Sequence, residues 1–69
     1  MKYLVLFEQT STGYSAYVPD LPGCVAAGAT VAETSELMRG AISMHLAGMR
    51  EDGDPIPEPQ TIAEYVVAA

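Results

Sequence analysis

YVPDLPGCVAAGATVAET, Tyr17 to Thr34, is the stretch whose reading decides the fold. Pro19 has no N–H to give a sheet ladder, so a strand entering from the left ends there. Asp20-Leu21-Pro22-Gly23 is turn chemistry. The Asp20 carboxylate can accept from nearby backbone, Pro22 presets φ, and Gly23 supplies the positive φ of a type II turn. Cys24–Gly28 is short and small-sided and reads as a strand that lets another backbone approach closely. Thr30-Val31-Ala32-Glu33 then has the form of a capping box. The Thr30 hydroxyl accepts from the Glu33 N–H, and the Glu33 carboxylate reaches back to the N–H of Thr30. One passage thus encodes the end of a strand, a tight turn, a second strand and a helix start.

Upstream, Lys2–Gln9 is rich in aliphatic and aromatic residues and reads as a strand. Tyr3, Val5 and Phe7 fall on one face, Leu4 and Leu6 on the other. Apolar residues on both faces suit a central strand or one used in association. Thr10–Gly13 is a loop, and Tyr14–Pro19 reads as the antiparallel return strand of a hairpin. Downstream, helical periodicity runs from Val31 to Glu51, with Gly53 as the stop and Pro55 beyond it. Val31, Leu37, Met38, Ala41, Ile42, Met44, Leu46 and Met49 form an apolar arc of roughly 200°, wider than the stripe needed to cover one sheet. The arc is either packed wholly within its own chain or shared with a partner. Pro55, Pro57 and Pro59 impose an extended connection. Thr61–Ala68 reads as a fourth strand, pairing with the first. The order is β-β-β-α-β, a two-layer α+β fold with a mainly antiparallel sheet and the helix on one face.

The 69 residues make one domain, spanning 1–69, and a domain of this size has a small core. One cysteine, Cys24, permits no internal disulfide and fits a reducing, cytoplasmic setting. The first apolar run is too short for a signal peptide or a membrane span. Self-association is the expected supplement to the core. Nine acidic residues against three basic ones give a net charge of −6. That balance disfavours direct nucleic-acid binding and favours encounter with a basic protein, though it also serves plain solubility.

A search for chemistry finds little. His45, the sole histidine, lies near the middle of the apolar arc with no carboxylate or nucleophile beside it in sequence. A Cys24–His45 pair is conceivable in space, but a cysteine in a small-residue strand without basic neighbours reads as packing. One cysteine and one histidine do not make a zinc site. Glu8, Asp20, Asp52 and Asp54 lie at strand ends and turns, where capping and solvation account for them. Gly13, Gly23 and Gly28 match no phosphate-binding loop. No catalytic residue, metal or cofactor is expected.

Two motifs resemble one family, the HicB antitoxins. YSAYVPDLPGCVAAGATVAE matches its N-terminal domain at Tyr17, Pro19 to Cys24, Gly28, Thr30 and Glu33. MHLAGMREDGDPIPEP matches at His45, Leu46, Gly48, Gly53, Pro55, Ile56, Pro57 and Pro59. The resemblance implies a partial RNase-H-like fold. It also implies a non-enzymatic role, binding and occluding a small basic RNA-cleaving toxin of the HicA type. Many HicB proteins continue into a DNA-binding domain. Here the expectation is a HicB-like domain alone, with promoter binding not carried over. Tyr17, Asp20, Leu21, Pro22 and Gly23 are the candidate partner-binding residues, because turns on a rigid scaffold commonly carry binding. They serve equally as a tight connection between strands. Thr30, Glu33, Gly53, Pro55 and Pro57 carry the structural motif. The alternative function is a stand-alone oligomeric scaffold or regulatory protein of the same fold, without a toxin. A weak metal-dependent nuclease using Asp20 is a third class.

Overall fold

The computed structural model describes all residues, Met1–Ala69. Three strands precede one helix: β1 (Leu6–Gln9), β2 (Tyr14–Tyr17), β3 (Val25–Gly28) and α1 (Val31–Glu51). The strands form an antiparallel sheet in the order β1-β2-β3. Leu6 faces Tyr17, and Tyr17 faces Val25 on its other side. Period-2 alternation then sorts the side chains. Phe7, Ala16 and Ala26 face the helix; Leu6, Tyr17 and Val25 form a row on the open face.

The Tyr17–Thr34 passage does more than connect elements. Of six buried residues, four lie within it: Val18, Leu21, Cys24 and Thr34, alongside Ala16 and Met38. Its turn is double. Leu21 N–H donates to Val18 O at 3.0 Å across Pro19-Asp20, and Cys24 N–H donates to Leu21 O at 3.0 Å across Pro22-Gly23. The second has φ +86° at Gly23, the type II geometry the sequence predicts. Val18 N–H donating to Cys24 O at 3.2 Å closes the loop and aims the fully buried Leu21 side chain into the core. Burying a leucine there is worth roughly 1.5–3 kcal/mol, so this turn stabilises the fold in its own right.

The helix starts and stops where its signals stand. Thr30 is the N-cap, its Oγ1 accepting from Glu33 N–H at 3.1 Å. The reciprocal capping-box bond is not formed; instead Thr34 Oγ1 donates to Thr30 O at 2.7 Å. At the far end Gly53 N–H donates to Arg50 O and Asp54 N–H to Met49 O, with Gly53 at φ +72°. This is the Schellman pairing that satisfies the last carbonyls. Met38, Ala41, Ile42, Leu46 and Met49 cover the sheet. Val31, Leu37 and Met44 from the same apolar arc remain exposed. The arc is therefore only partly consumed by its own chain.

The expected fourth strand is not formed. After Gly53 the chain runs without regular structure, and Thr61–Ala69 makes no ladder and lies fully exposed. Ile62 is 90% exposed and Tyr65 fully so. The physical reason lies at the root of this segment. The Tyr3 hydroxyl donates to Pro57 O, and the Asp20 carboxylate accepts from Gln60 N–H, Thr61 N–H and Thr61 Oγ1 at 3.1, 3.1 and 2.8 Å. These contacts carry the chain past the start of β1 to the β2–β3 turn, away from the edge it was expected to join. The first strand is also shorter than expected: Lys2–Val5 lies outside the ladder, although Tyr3 and Val5 still pack against the core.

Candidate partner interface

The five candidate residues separate in space. Leu21 is wholly buried and presents nothing to a partner. Asp20 is committed to the downstream segment rather than to its own turn, and Thr61 and Gln60 donors hold its carboxyl below the usual carboxylate range. Tyr17, Pro22 and Gly23 do meet, around a shallow concavity of about 420 Å³ on the open side of the sheet. Tyr17 is 39% exposed, and Val25 beside it is 64% exposed. Sequence reasoning missed Val25. Its signal was available, since a β-branched residue one step after buried Cys24 must point to the opposite face.

This surface is apolar at its centre. Leu6, Tyr17 and Val25 form one cross-strand row; Glu8, Ser15 and Ala27 form the next, by register. An aromatic and two aliphatics on a rigid sheet, with an acid alongside, match the composition of a protein-binding centre better than that of a reaction centre.

The remaining chemistry does not assemble. Cys24 and His45 do border one shallow cleft, with Gly23, Val25, Ala41 and Met44. Burial pushes the Cys24 thiol up, opposite to the shift an activated thiolate requires. No group of three or more His, Cys, Asp or Glu side chains converges as metal ligands would. Asp20 has its carboxylate oxygens bonded to Gln60 and Thr61, which opposes the nuclease reading. No helix is long and apolar enough to cross a membrane.

The chain is a small α+β domain, a three-stranded antiparallel sheet covered on one face by a single helix and apolar at the centre of its open face. Its family is shown by a family model described as the HicB-like antitoxin of bacterial toxin-antitoxin systems, which matches residues 3–69. The chain belongs to that family. A similar protein is an uncharacterized 14.9 kDa protein from the rep-hol intergenic region of Haemophilus phage HP1, 39% identical over 66 residues. The match takes in 96% of this chain and 50% of that protein, so the chain spans about half the length of the curated relative it matches. Among solved structures, a chain of the HicA3 and HicB3 toxin-antitoxin complex is similar, with TM-score 0.74 and 32% identity. The likeness covers 86% of this chain and 70% of that one.

Proposed function

We propose that this chain is an antitoxin module that binds a small basic HicA-type toxin and covers its RNA-cleaving surface, without catalysis of its own. The likeness to a chain from a toxin–antitoxin complex carries the reading, together with family membership over residues 3–69. The net charge of −6 favours encounter with a basic protein. The open-face row of Leu6, Tyr17 and Val25, with Pro22 at its rim, is the contact surface in this proposal. A cytoplasmic location and self-association belong to the same reading, as does the absence of direct nucleic-acid contact.

Titration calorimetry against any small basic protein encoded beside this gene tests the proposal. Binding that Tyr17→Asp with Val25→Asp weakens roughly a hundredfold supports it, since two central anchors are removed. No binding to such a neighbour removes the antitoxin assignment; binding untouched by the two substitutions removes this surface. The uncovered Thr61–Ala69 segment favours a second reading, an oligomeric scaffold of the same fold that serves no toxin. In that case the chain self-associates and no basic neighbour binds.

A further inference from the structure

The Thr61–Ala69 segment is apolar, extended and uncovered, and its placement is specific. Ile62, Tyr65, Val66 and Val67 are 77–104% exposed. The molecule measures 45 × 27 × 16 Å, and its radius of gyration is 13.4 Å, against about 11 Å for a compact chain of this length. The excess fits an arm that projects from the body. Its composition is that of a strand, with Ile62, Glu64 and Val66 on one face and Ala63, Tyr65 and Val67 on the other.

The body carries a matching vacancy at the other side of the sheet. β1 is an edge strand with one unpaired side. Beside it runs a groove of about 250 Å³ between β1 and α1, lined chiefly by Tyr3, Val5, Phe7, Met38, Ile42 and Arg39. Arg39 is its sole charge, and Glu64 is the sole charge of the arm. The Lys2–Val5 run has strand composition yet lies outside the ladder. A strand added at this edge would complete it.

The arm does not reach this edge in its own chain. The chain is already beside Tyr3 at Pro57, and by Gln60–Thr61 it has moved on to the Asp20 turn. Filling its own groove would require it to reverse and release the Asp20 bonds. The β3 edge also borders a cleft with α1, but that cleft lacks an arginine or lysine to meet Glu64.

We propose that Thr61–Ala68 is an exchange arm: in a twofold dimer of this chain, each arm adds as a strand to the open β1 edge of the other copy and fills its β1–α1 groove. The exchange is self-complementary and closes at two copies. Ile62 and Val66, on the face that carries Glu64, bring roughly 200 Å² per arm, and the groove surface they cover brings about as much again. Two exchanges bury about 800 Å² of side-chain surface, a small interface, so the two added ladders of backbone hydrogen bonds carry much of the association. The dimer also completes the β-β-β-α-β arrangement, with the last strand supplied by the neighbour.

Light scattering and sedimentation equilibrium on the chain test this; no toxin is involved, so toxin binding, the core of the antitoxin reading, stands or falls separately. The expected result is a dimer. Ile62→Asp with Val66→Asp should weaken it roughly a hundredfold while leaving the helical circular dichroism unchanged. Glu64→Arg and Arg39→Glu should each weaken it roughly tenfold, and together restore it, since each dimer contains two such pairs. A chain that stays monomeric overturns the proposal, as does a dimer indifferent to the arm substitutions. Additive losses in the charge-reversal pair overturn docking at the β1 edge.

Discussion

Replacing Gly28 by alanine tests how β3 meets α1. A glycine inside a strand ordinarily costs roughly 0.5–1 kcal/mol relative to alanine, through the freedom it retains in the unfolded chain. With no obstruction, Gly28→Ala would therefore stabilise the protein. The structure predicts the opposite sign. A methyl at Gly28 would lie 2.7 Å from Thr34 Oγ1, 3.2 Å from Thr34 N and 3.3 Å from Glu33 Cγ. Thr34 has little freedom to yield: it is fully buried, and its hydroxyl donates to Thr30 O at 2.7 Å. Either that bond breaks or the first helical turn lifts from the sheet. Overpacking of this kind costs about 1–3 kcal/mol. Subtracting the entropic gain leaves a net loss of up to about 2.5 kcal/mol, centred near 1 kcal/mol. For a domain of this size a loss of about 1 kcal/mol lowers the melting temperature by roughly 4–8 °C. Urea unfolding followed by circular dichroism measures it directly. The cycle with Thr34→Ala isolates the cause, because removing Oγ1 removes the nearest obstruction. Gly28→Ala should cost at least about 1 kcal/mol less in the Thr34→Ala background. A stabilised Gly28→Ala, or a cycle with no coupling, would refute the close approach of β3 and the helix start.

Thr30→Ala removes the N-cap acceptor of Glu33 N–H. The expected loss is about 0.5–2 kcal/mol, read in the same urea experiment. Asp20 should report the root of the arm by its titration. Its ordinary carboxyl value is 3.8, and the bonds from Thr61 and Gln60 lower it in the folded protein. Because the folded value is the lower one, the contribution of the contact is complete above 3.8 and is lost as pH falls through the folded value. The amide shifts of Gln60 and Thr61 should titrate together below 3.8 by NMR, and Asp20→Asn should abolish the transition; titration at the ordinary value would sink the clamp.

Local signals carried most of the fold. The Thr30 cap and the Gly53 stop fix α1 at Val31–Glu51, and both act within a turn of the residues that encode them. Pro22-Gly23 fixes the type II turn in the same way. Leu21 was misassigned to the surface for the complementary reason. A turn residue normally faces solvent, but here two consecutive turns fold over and drive its side chain inward. Asp20 shows the limit of local reading. An Asp before Leu-Pro-Gly suggests a bond to its own turn, whereas its partners lie 40 and 41 residues away. Nothing at either site specifies the other; the meeting depends on where the proline segment leads the chain. In the candidate interface, Tyr17, Pro22 and Gly23 were recoverable as neighbours of one turn. Val25 required the register.

The fourth strand separates composition from pairing. Thr61–Ala68 has the residues of a strand, and strand preference measures how well side chains fit a half-buried pleated surface. It contains no statement of whose surface that is. A helix satisfies its backbone within one segment, so α1 could be read from its own residues. A strand needs a neighbour, and the neighbour can belong to another chain. The Asp20 clamp decides the matter geometrically, since it turns the segment outward before its first apolar residue, Ile62. A segment with this composition, held away from its own sheet, leaves four large apolar side chains in water. In so small a domain, with six buried residues, that much uncovered apolar surface is comparable to the core itself. The same Asp20 contact that keeps the sheet at three strands within one chain therefore holds the arm ready for another.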